Sequence, residues 1–200
     1  MAQWKSGICM TGKLSGKVAI VTGGAGGFGK GIADKFKQEG AEVIIADMVE
    51  EAGKKTADEL KCEFVKANVT SRQDWENLVK VADEKFGRLD CVINNAGTTY
   101  RNKPTADVTE EDFDKVFTVN VKSIYLSANV CVPYMQKQGN GGSFVSIAST
   151  AGIRPRPGLT WYNASKAAVI NGTKTMGVEY APDNIRFNSV CPVVALGTGL

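Results

Sequence analysis

The chain contains no histidine, and its five cysteines include no C-x-x-C pair. Structural zinc sites depend on clustered cysteine and histidine ligands, and Ser-His and Cys-His hydrolases need an imidazole base. The sequence therefore argues against both classes, and we expect no metal site. An odd number of thiols without a pairing pattern favours a reducing compartment, so we expect a cytoplasmic protein.

The sequence also has little net charge and no long apolar run. The net charge is only +3, and the basic residues form no stripe, so we expect no nucleic-acid partner. No segment approaches the length of a membrane span, and the first ten residues lack the apolar stretch of a signal peptide. We therefore expect no membrane partner.

Apolar strand-like runs instead alternate with segments of helical periodicity. Two hundred residues with 43% hydrophobic content suit a single domain. We predict strands near 18–22, 42–47, 62–67, 89–93, 142–148 and 185–191, and helices near 27–39, 50–60, 71–86, 109–138 and 161–181. The alternation predicts an α/β fold, a Rossmann-type doubly wound parallel sheet of strand order 3-2-1-4-5-6. Its ligand crevice lies where the order reverses, between strands 1 and 4.

The first predicted strand leads into a glycine-rich turn. The apolar residues 18–21 are followed by Thr22-Gly23-Gly24-Ala25-Gly26-Gly27-Phe28-Gly29, and apolar residues at helical spacing come next. Glycines allow a close backbone approach, and the helix start offers unpaired N–H groups, so a strand, a glycine turn and a helix together predict a phosphate site. The alternative is a flexible turn without a ligand.

Asp47 ends the second predicted strand, near the offset at which dinucleotide-binding units place an acid on the adenosine ribose. A carboxylate there accepts hydrogen bonds from both ribose hydroxyls and repels a 2′-phosphate, which favours NAD over NADP. Lys30 is the one cation nearby. The alternative for Asp47 is a helix N-cap for the segment from Glu50 onward, and both roles can coexist.

Ser149, Tyr162 and Lys166 form the candidate reactive group. Tyr162 and Lys166 are four residues apart in a predicted helix and share one face, while Ser149 ends a predicted strand. An ammonium about 4 Å away, at an effective dielectric near 20, favours a phenolate by about 4 kcal/mol. The alternative is an exposed pair of no consequence, since a lone Y-x-x-x-K pattern is weak.

Several short motifs occur in one order along the chain. They are the T-G-x-x-x-G-x-G turn of Thr22, Gly23, Gly27 and Gly29, then Asn94-Asn95-Ala96-Gly97, Asn120, Ser149 and Tyr162-Asn163-Ala164-Ser165-Lys166. From about Leu14 onward, the chain closely resembles the short-chain dehydrogenase/reductase family. It is similar to microbial members described as 3-oxoacyl-carrier-protein reductases or sugar dehydrogenases.

The resemblance implies reversible hydride transfer between NAD and a small carbonyl compound or secondary alcohol. Tyr162 would be the general acid and base, Lys166 would favour its phenolate and hold the nicotinamide ribose, and Ser149 would bond the reacting oxygen. Asn120 would hold a water that links the lysine to solvent, or would merely interrupt a helix. The implied cofactor-binding residues are Gly23, Gly27, Phe28, Gly29, Asp47, Asn68, Val69, Asn95, Ala96, Gly97, Tyr162, Lys166 and Pro192.

Some of these positions depart from the family pattern or allow a simpler explanation. Asn68 stands where an aspartate usually accepts the adenine amine, and its amide oxygen can still accept that bond. Asn94 would stabilise the sheet, while Asn95, Ala96 and Gly97 would line the cofactor or form a simple turn. The helices at 109–138 and 161–181 carry apolar residues on more than one side, so we expect a homodimer or homotetramer.

The loop 152–161 lies between Ser149 and Tyr162 and should border the substrate. Arg154 and Arg156 could favour an anionic substrate, or they could be solvated loop residues. Trp161 could stack on a substrate ring. The sequence does not assign the substrate.

Both termini depart from the expected pattern. We interpret residues 1–13 as an extension before one dinucleotide-binding domain that spans the 200 residues. After Pro192 the family has a nicotinamide-covering loop, a substrate-lid helix and a seventh strand. We expect the lid and that strand to be absent here, with Thr198 in the hydroxyl role toward the carboxamide. The alternative function is a non-catalytic NAD-binding or scaffold protein; an isomerase or dehydratase fits the glycine spacing less well.

Overall fold

The computed structural model describes residues 12–193, in which six strands form one parallel sheet. The order β3-β2-β1-β4-β5-β6 confirms the predicted topology. The strands are β1 Val18–Thr22, β2 Glu42–Asp47, β3 Glu63–Lys66, β4 Cys91–Asn94, β5 Gly142–Ile147 and β6 Ile185–Val190. Thr198 and most of the predicted extension at 1–13 lie outside the described residues.

Six α-helices cover the two faces of the sheet in the described part of the chain. They are α1 Gly27–Gln38, α2 Glu50–Leu60, α3 Arg72–Phe86, α4 Glu110–Phe117, α5 Ser123–Gln138 and α6 Thr160–Glu179. Short 3₁₀ turns occupy Thr105–Asp107, Thr150–Gly152 and Ala181–Asp183. Most predicted boundaries are within two residues of these.

The apolar strand runs are buried because helices pack on both faces of the sheet. In β1, Ile20 belongs to the core beneath α3 and α5, whereas its neighbour Val21 belongs to the core beneath α1 and α2. Alternate residues of one strand thus enter opposite cores, as the two-residue period of a strand requires. This explains why the central strands read as continuous apolar runs.

The predicted helix at 109–138 was wrong in one respect. Residues Thr118–Lys122 form a π-helical segment between α4 and α5, so the rod is not one regular α-helix. Asn120 lies in this segment and is almost fully buried. A π turn is a frequent feature of functional sites, and here it carries a side chain that faces a neighbouring loop.

No helix within residues 12–193 is long and apolar enough to cross a membrane. The same residues contain no group of three or more histidine, cysteine, aspartate or glutamate side chains arranged to hold a metal ion.

Candidate functional site

Two adjoining cavities lie at the carboxyl edge of the sheet. A groove of about 680 Å³ runs from the glycine turn past the ends of β2 and β3. A smaller pocket of about 180 Å³ contains Ser149, Tyr162 and Lys166. Phe28, Asn95, Gly97 and Thr98 line both cavities, so a molecule in the groove can extend into the pocket.

The glycine turn is packed too closely for side chains. Gly23 has a φ of +63°, in the left-handed region, and a Cβ on Gly29 would lie 2.1 Å from the Gly23 carbonyl oxygen. No side chain in the described part of the chain caps α1, and its first turn holds no acidic residue. Its amino-terminal N–H groups and positive dipole end are therefore available to an anion, which fits the phosphates of a dinucleotide.

Thr22 and Asn95 join the glycine turn to the loop after β4. The Thr22 hydroxyl donates to the Ile93 carbonyl at 3.1 Å and accepts from the N–H groups of Asn95 and Ala96 at 3.0 and 3.1 Å. The Asn95 amide donates to the carbonyls of Thr22 and Gly23. The bonds across the sheet edge thus come from Asn95, whereas the Oδ1 of Asn94 is buried without a partner among residues 12–193.

Asp47 joins three segments at the end of β2. One carboxylate oxygen accepts from the Ala25 N–H and the other from the Val49 N–H, both at 3.0 Å. Helix α2 is preceded by Val49, without a side-chain cap, so the N-cap alternative for Asp47 is wrong. Because each carboxylate oxygen can accept a further hydrogen bond, Asp47 retains capacity for ribose hydroxyls.

Lys30, the one cation that the sequence placed near Asp47, forms an ion pair with Glu59 of α2. Its charge is therefore compensated within the protein, and a second anion at this position would have to compete with Glu59.

Asn68 and Val69 line the groove beyond β3. The Asn68 amide oxygen already accepts two hydrogen bonds from Thr70, from its N–H at 3.0 Å and its hydroxyl at 2.8 Å. A hydrogen bond from the adenine amine to this oxygen, which the sequence led us to expect, is therefore unfavourable, because both lone pairs of the oxygen are already used. The NH₂ group of Asn68 can still donate a hydrogen bond to a ligand.

Lys166 is a buried cation in the smaller pocket. Only 6% of its surface is exposed, and its Nζ donates to the Ile147 carbonyl at 2.8 Å. The Nζ lies 5.8 Å from the centre of the half-buried Tyr162 ring. Burial lowers the pKa of Lys166 to about 8, against a smaller opposing effect of Cys191. The structure thus brings Tyr162 and Lys166 together, as their spacing predicted.

Ser149 lies at the base of the same pocket. Its Oγ accepts from the Ala151 N–H at 3.1 Å, which caps the turn Thr150–Gly152. This bond uses a lone pair of Oγ, so the hydroxyl hydrogen remains able to donate to an oxygen in the pocket. Pro192 also lines the pocket, and its carbonyl accepts from the Thr150 N–H at 3.1 Å.

Asn120 holds the loop after β4 against α6. Its Oδ1 accepts from the Thr98 N–H at 2.8 Å, and its Nδ2 donates to the Thr98 carbonyl at 2.9 Å and the Ser165 hydroxyl at 3.0 Å. A Cβ on Gly97 would lie 3.3 Å from this Oδ1 and 3.4 Å from the Lys166 Nζ. Asn120 and Lys166 therefore flank Gly97, but the Asn120 side chain is already engaged in positioning Thr98.

The structure separates the two arginines of the loop 152–161. Both arginines are exposed, but Arg156 lines the pocket and Arg154 does not. Trp161 is not part of the described pocket lining, and its ring packs edge-on against Phe113 at 5.1 Å. The backbone N–H of Trp161 donates to the buried Tyr100 hydroxyl at 3.0 Å, which fixes the start of α6.

Sequence reasoning missed several residues that line the two cavities. They are Met48, Val49, Thr98, Thr99, Val119 and Leu159. Two of them, Met48 and Thr98, directly follow a predicted site residue in a loop after a strand. The rule that ligands bind beyond the carboxyl ends of parallel strands could have found Met48 and Thr98.

A parallel sheet of this order, with an uncapped glycine turn at the switch between β1 and β4, defines a dinucleotide-binding α/β protein. The comparison with protein families narrows this class. The model described as short chain dehydrogenase matches residues 17–200, and the chain belongs to this family.

Individual relatives agree with the family. The chain is 46% identical to 4-formylbenzenesulfonate dehydrogenase TsaC1/TsaC2 of Comamonas testosteroni over 186 residues, which cover 90% of this chain and 73% of that protein. It is 43% identical to 3-oxoacyl-(acyl-carrier-protein) reductase FabG of Thermotoga maritima over 185 residues, 90% and 74% of the two chains. The crystal structure of 3-ketoacyl-(acyl-carrier-protein) reductase from Brucella melitensis complexed with NADH superposes with a TM-score of 0.87 at 36% identity, covering 90% of this chain and 76% of that one.

Proposed function

We propose that the protein is an NAD(H)-dependent oxidoreductase that transfers a hydride between nicotinamide and a small carbonyl compound or secondary alcohol. The observation that carries the proposal is the buried Lys166 beside Tyr162 and Ser149, in a pocket continuous with a dinucleotide-sized groove. The dehydrogenase and reductase names of its relatives, and the NADH in the Brucella melitensis structure, support it. Both sites would belong to one dinucleotide-binding domain.

The groove residues fit a nicotinamide dinucleotide. A cofactor bound there supplies or accepts the hydride. The amino end of α1 would hold the phosphates, Asp47 the adenosine ribose, and Asn68 and Val69 the adenine. The remaining proposed contacts are Gly23, Gly27, Phe28, Gly29, Asn95, Ala96, Gly97, Tyr162, Lys166 and Pro192.

The pocket residues would move one proton. In the direction of reduction, the Tyr162 hydroxyl gives its proton to the substrate oxygen, and in oxidation the phenolate takes it back. The Ser149 hydroxyl donates a hydrogen bond to the same oxygen and stabilises the charge that develops there. We expect the Lys166 ammonium to stabilise negative charge on the Tyr162 oxygen and to hold the nicotinamide ribose. We expect Asn120 to fix the adjoining Thr98 loop and to support proton return through water.

A Tyr162→Phe variant tests the catalytic part of the proposal. Turnover of an aromatic aldehyde with NADH should fall by at least about 100-fold, the usual contribution of a positioned acid, while NADH binding measured by calorimetry remains. Tyr134→Phe is the matched control, since the Tyr134 hydroxyl bonds Asp83 away from the pocket. Unchanged turnover in Tyr162→Phe would refute the assignment. Absence of turnover in the parent protein, with NADH still bound, would favour a non-catalytic binding protein.

The preference for NAD over NADP is supported by two features of the groove. Asp47 presents a carboxylate where a 2′-phosphate would lie, and Lys30 is already paired with Glu59. We expect calorimetry to show NADPH binding at least tenfold weaker than NADH, a difference of about 1.4 kcal/mol. Glu59→Gln frees Lys30 and should narrow that ratio by improving NADPH binding, whereas Glu84→Gln, on the distant α3, should not. Equal binding of both cofactors would contradict the role of Asp47.

A homodimer or homotetramer remains part of the proposal. A groove of about 410 Å³ with an apolar lining runs between the outer faces of α5 and α6, and the adjacent Tyr125 is half exposed. Light scattering at micromolar protein should give at least twice the chain mass, and a monomeric mass would contradict this. The free thiols of Cys62, Cys91, Cys131 and Cys191 are consistent with the proposed cytoplasmic location, which cell fractionation would test.

A further inference from the structure

We propose that the pocket selects a small carbonyl or alcohol substrate that carries a carboxylate or sulfonate, and that Arg156 binds this anionic group. The inference rests on the proposed oxidoreductase function and adds the substrate class to it. It concerns the pocket that contains Ser149, Tyr162 and Lys166.

The charges around the pocket are all of one sign. Arg156 and Lys166 are the charged residues among the described lining, and no aspartate or glutamate accompanies them. Two cations in a small concave site give a positive potential, which attracts an anion and repels a cation. The rest of the lining includes the apolar Phe28, Leu159 and Val193, which suit the carbon skeleton of a compact substrate.

The two cations have different tasks. Lys166 is buried, bonds the Ile147 carbonyl and lies beside Tyr162, so its charge serves the reacting end of the pocket. Arg156 is an exposed residue of the loop that borders the pocket. Its Nη2 donates to the Val193 carbonyl at 2.8 Å, which leaves other guanidinium donors for a ligand.

The backbone of Arg156 is held in place by its neighbours. The carbonyl of Arg156 accepts from the Asn163 amide at 2.9 Å, and Asn163 directly follows Tyr162 on α6. The Pro157 carbonyl accepts from the Asn102 amide at 2.9 Å, and the Gly158 carbonyl accepts from the Lys103 N–H at 3.1 Å. These bonds fix the backbone of Arg156 relative to Tyr162, and the bond from its Nη2 to the Val193 carbonyl restrains the exposed side chain. This restraint lowers the entropic cost of binding an anion.

A guanidinium suits this task better than a lysine would. Its planar set of donors can engage two oxygens of a carboxylate or sulfonate at once. Arg154 carries the same charge in the same loop but does not line the pocket. The position of Arg156 at the pocket is therefore specific to this residue and not a general property of the basic loop.

Steady-state kinetics with a matched pair of aldehydes test the inference. The probes are 4-carboxybenzaldehyde and its methyl ester, each reduced with NADH. The parent protein should prefer the carboxylate, and Arg156→Gln should lower that preference in kcat/KM by about tenfold, mainly through KM, because a charged hydrogen bond is lost. Arg154→Gln should keep the parent preference. Arg156→Lys should keep only part of it, and added salt should weaken it in the parent protein.

The possible outcomes separate this inference from the proposed function. If both aldehydes are reduced and Arg156→Gln does not change their ratio, the anionic substrate class is overturned while the oxidoreductase function stands. If the methyl ester is still reduced normally by Arg156→Gln, the variant is folded and a loss confined to the carboxylate supports the inference. If the parent reduces neither aldehyde, calorimetry with 4-carboxybenzaldehyde decides: Arg156-dependent binding supports the inference, and no binding overturns it.

Discussion

The two ends of the sheet each bury one charged side chain, and they treat that charge in opposite ways. At the amino ends of β1 and β4, Asp90 is 6% exposed and accepts hydrogen bonds from Arg88, Lys17 and the Val18 N–H. At the carboxyl ends, Lys166 is equally buried but donates to a single carbonyl, that of Ile147, and bonds no carboxylate in the described structure.

The pKa values record this difference. Burial raises the pKa of Asp90, but the hydrogen bonds from Arg88, Val18 and Lys17 outweigh it, and the net pKa is lowered. Burial lowers the pKa of Lys166 to about 8, and the smaller opposing effect of Cys191 does not offset it. The compensated charge stabilises the fold, whereas the uncompensated charge costs stability and remains available to a ligand and to Tyr162. The charge that stabilises the fold and the charge proposed to serve catalysis thus lie at opposite edges of the same sheet.

The largest expected effect comes from removing the uncompensated charge. Lys166→Met should lower turnover by at least about 100-fold, since the positioned acid loses its support. The melting temperature of the cofactor-free protein at pH 7 should nevertheless rise. A lowering of the pKa from 10.5 to about 8 corresponds to about 3 kcal/mol of unfavourable burial, against about 1 kcal/mol for the lost bond to Ile147. Scanning calorimetry and NADH turnover measure the two effects.

Lys174→Met is the control for Lys166→Met, because Lys174 is an exposed lysine on the same helix. It should change neither quantity appreciably. A lower melting temperature in Lys166→Met would contradict the claim that the pocket is built at a cost in stability.

Removing the compensated charge should have the opposite result. Asp90→Ala should lower the free energy of unfolding by about 3 kcal/mol, because it leaves Arg88 and the Val18 N–H without their acceptor. Turnover per folded molecule should be unchanged. Urea unfolding measures the first quantity, with the exposed Asp58→Ala as control. A loss of turnover without a loss of stability would contradict the assignment of Asp90 to stability alone.

The pH dependence of stability provides a further test of the role of Asp90. Since the folded-state pKa of Asp90 lies below its unfolded-state value, its contribution is complete above the unfolded pKa of about 4 and is lost as the pH falls through the folded pKa. The stability difference between the parent protein and Asp90→Asn should therefore narrow as the pH is lowered from 6 to 3. A difference that stays constant in urea unfolding at these pH values would exclude the carboxylate charge as its source.

The smallest effect is expected for an ion pair whose two side chains are both exposed to solvent. Lys80 and Glu84 lie on the solvent side of α3 with a separation of 3.7 Å, and both side chains are about two-thirds exposed. Water and salt screen such a pair, so Glu84→Gln should leave the melting temperature essentially unchanged. A large shift would show that exposure is a poor guide to the worth of a charge in this protein.

The topology could be predicted because local signals determine it. Apolar runs such as residues 18–21 and 42–46 alternate with helical periodicity, and right-handed crossovers leave few arrangements of a parallel sheet. Most of the predicted site residues meet because they follow the carboxyl end of a strand or, like Tyr162 and Lys166, share one turn of a helix; Asn120, in the π-helical segment, is the exception. These relations span few residues of sequence or follow from the topology itself.

The details that could not be predicted depend on contacts between distant loops. Nothing local distinguishes Arg156 from Arg154, and the difference arises from the bonds of Arg156 to Asn163 and Val193. The Trp161 ring packs edge-on against Phe113, which lies 48 residues earlier in the chain, so its neighbours in sequence do not indicate this contact. The hydrogen bond from the Ala25 N–H to the Asp47 carboxylate likewise depends on how closely the glycine turn approaches β2.

The π-helical segment Thr118–Lys122 accommodates one extra residue in the turn that carries Asn120. A π turn contains about one residue more than an α turn, so deleting one residue within it would restore regular α-helical bonding. The buried face of α5, including Leu126 and Cys131, would then still face the core. The same deletion would move Asn120 away from the position in which it bonds Thr98 and Ser165. A deletion in the regular part of α5 has no such compensation and would rotate the residues that follow by about 100°. The extra residue thus sets the position of the Asn120 side chain without changing which face of α5 packs on the core.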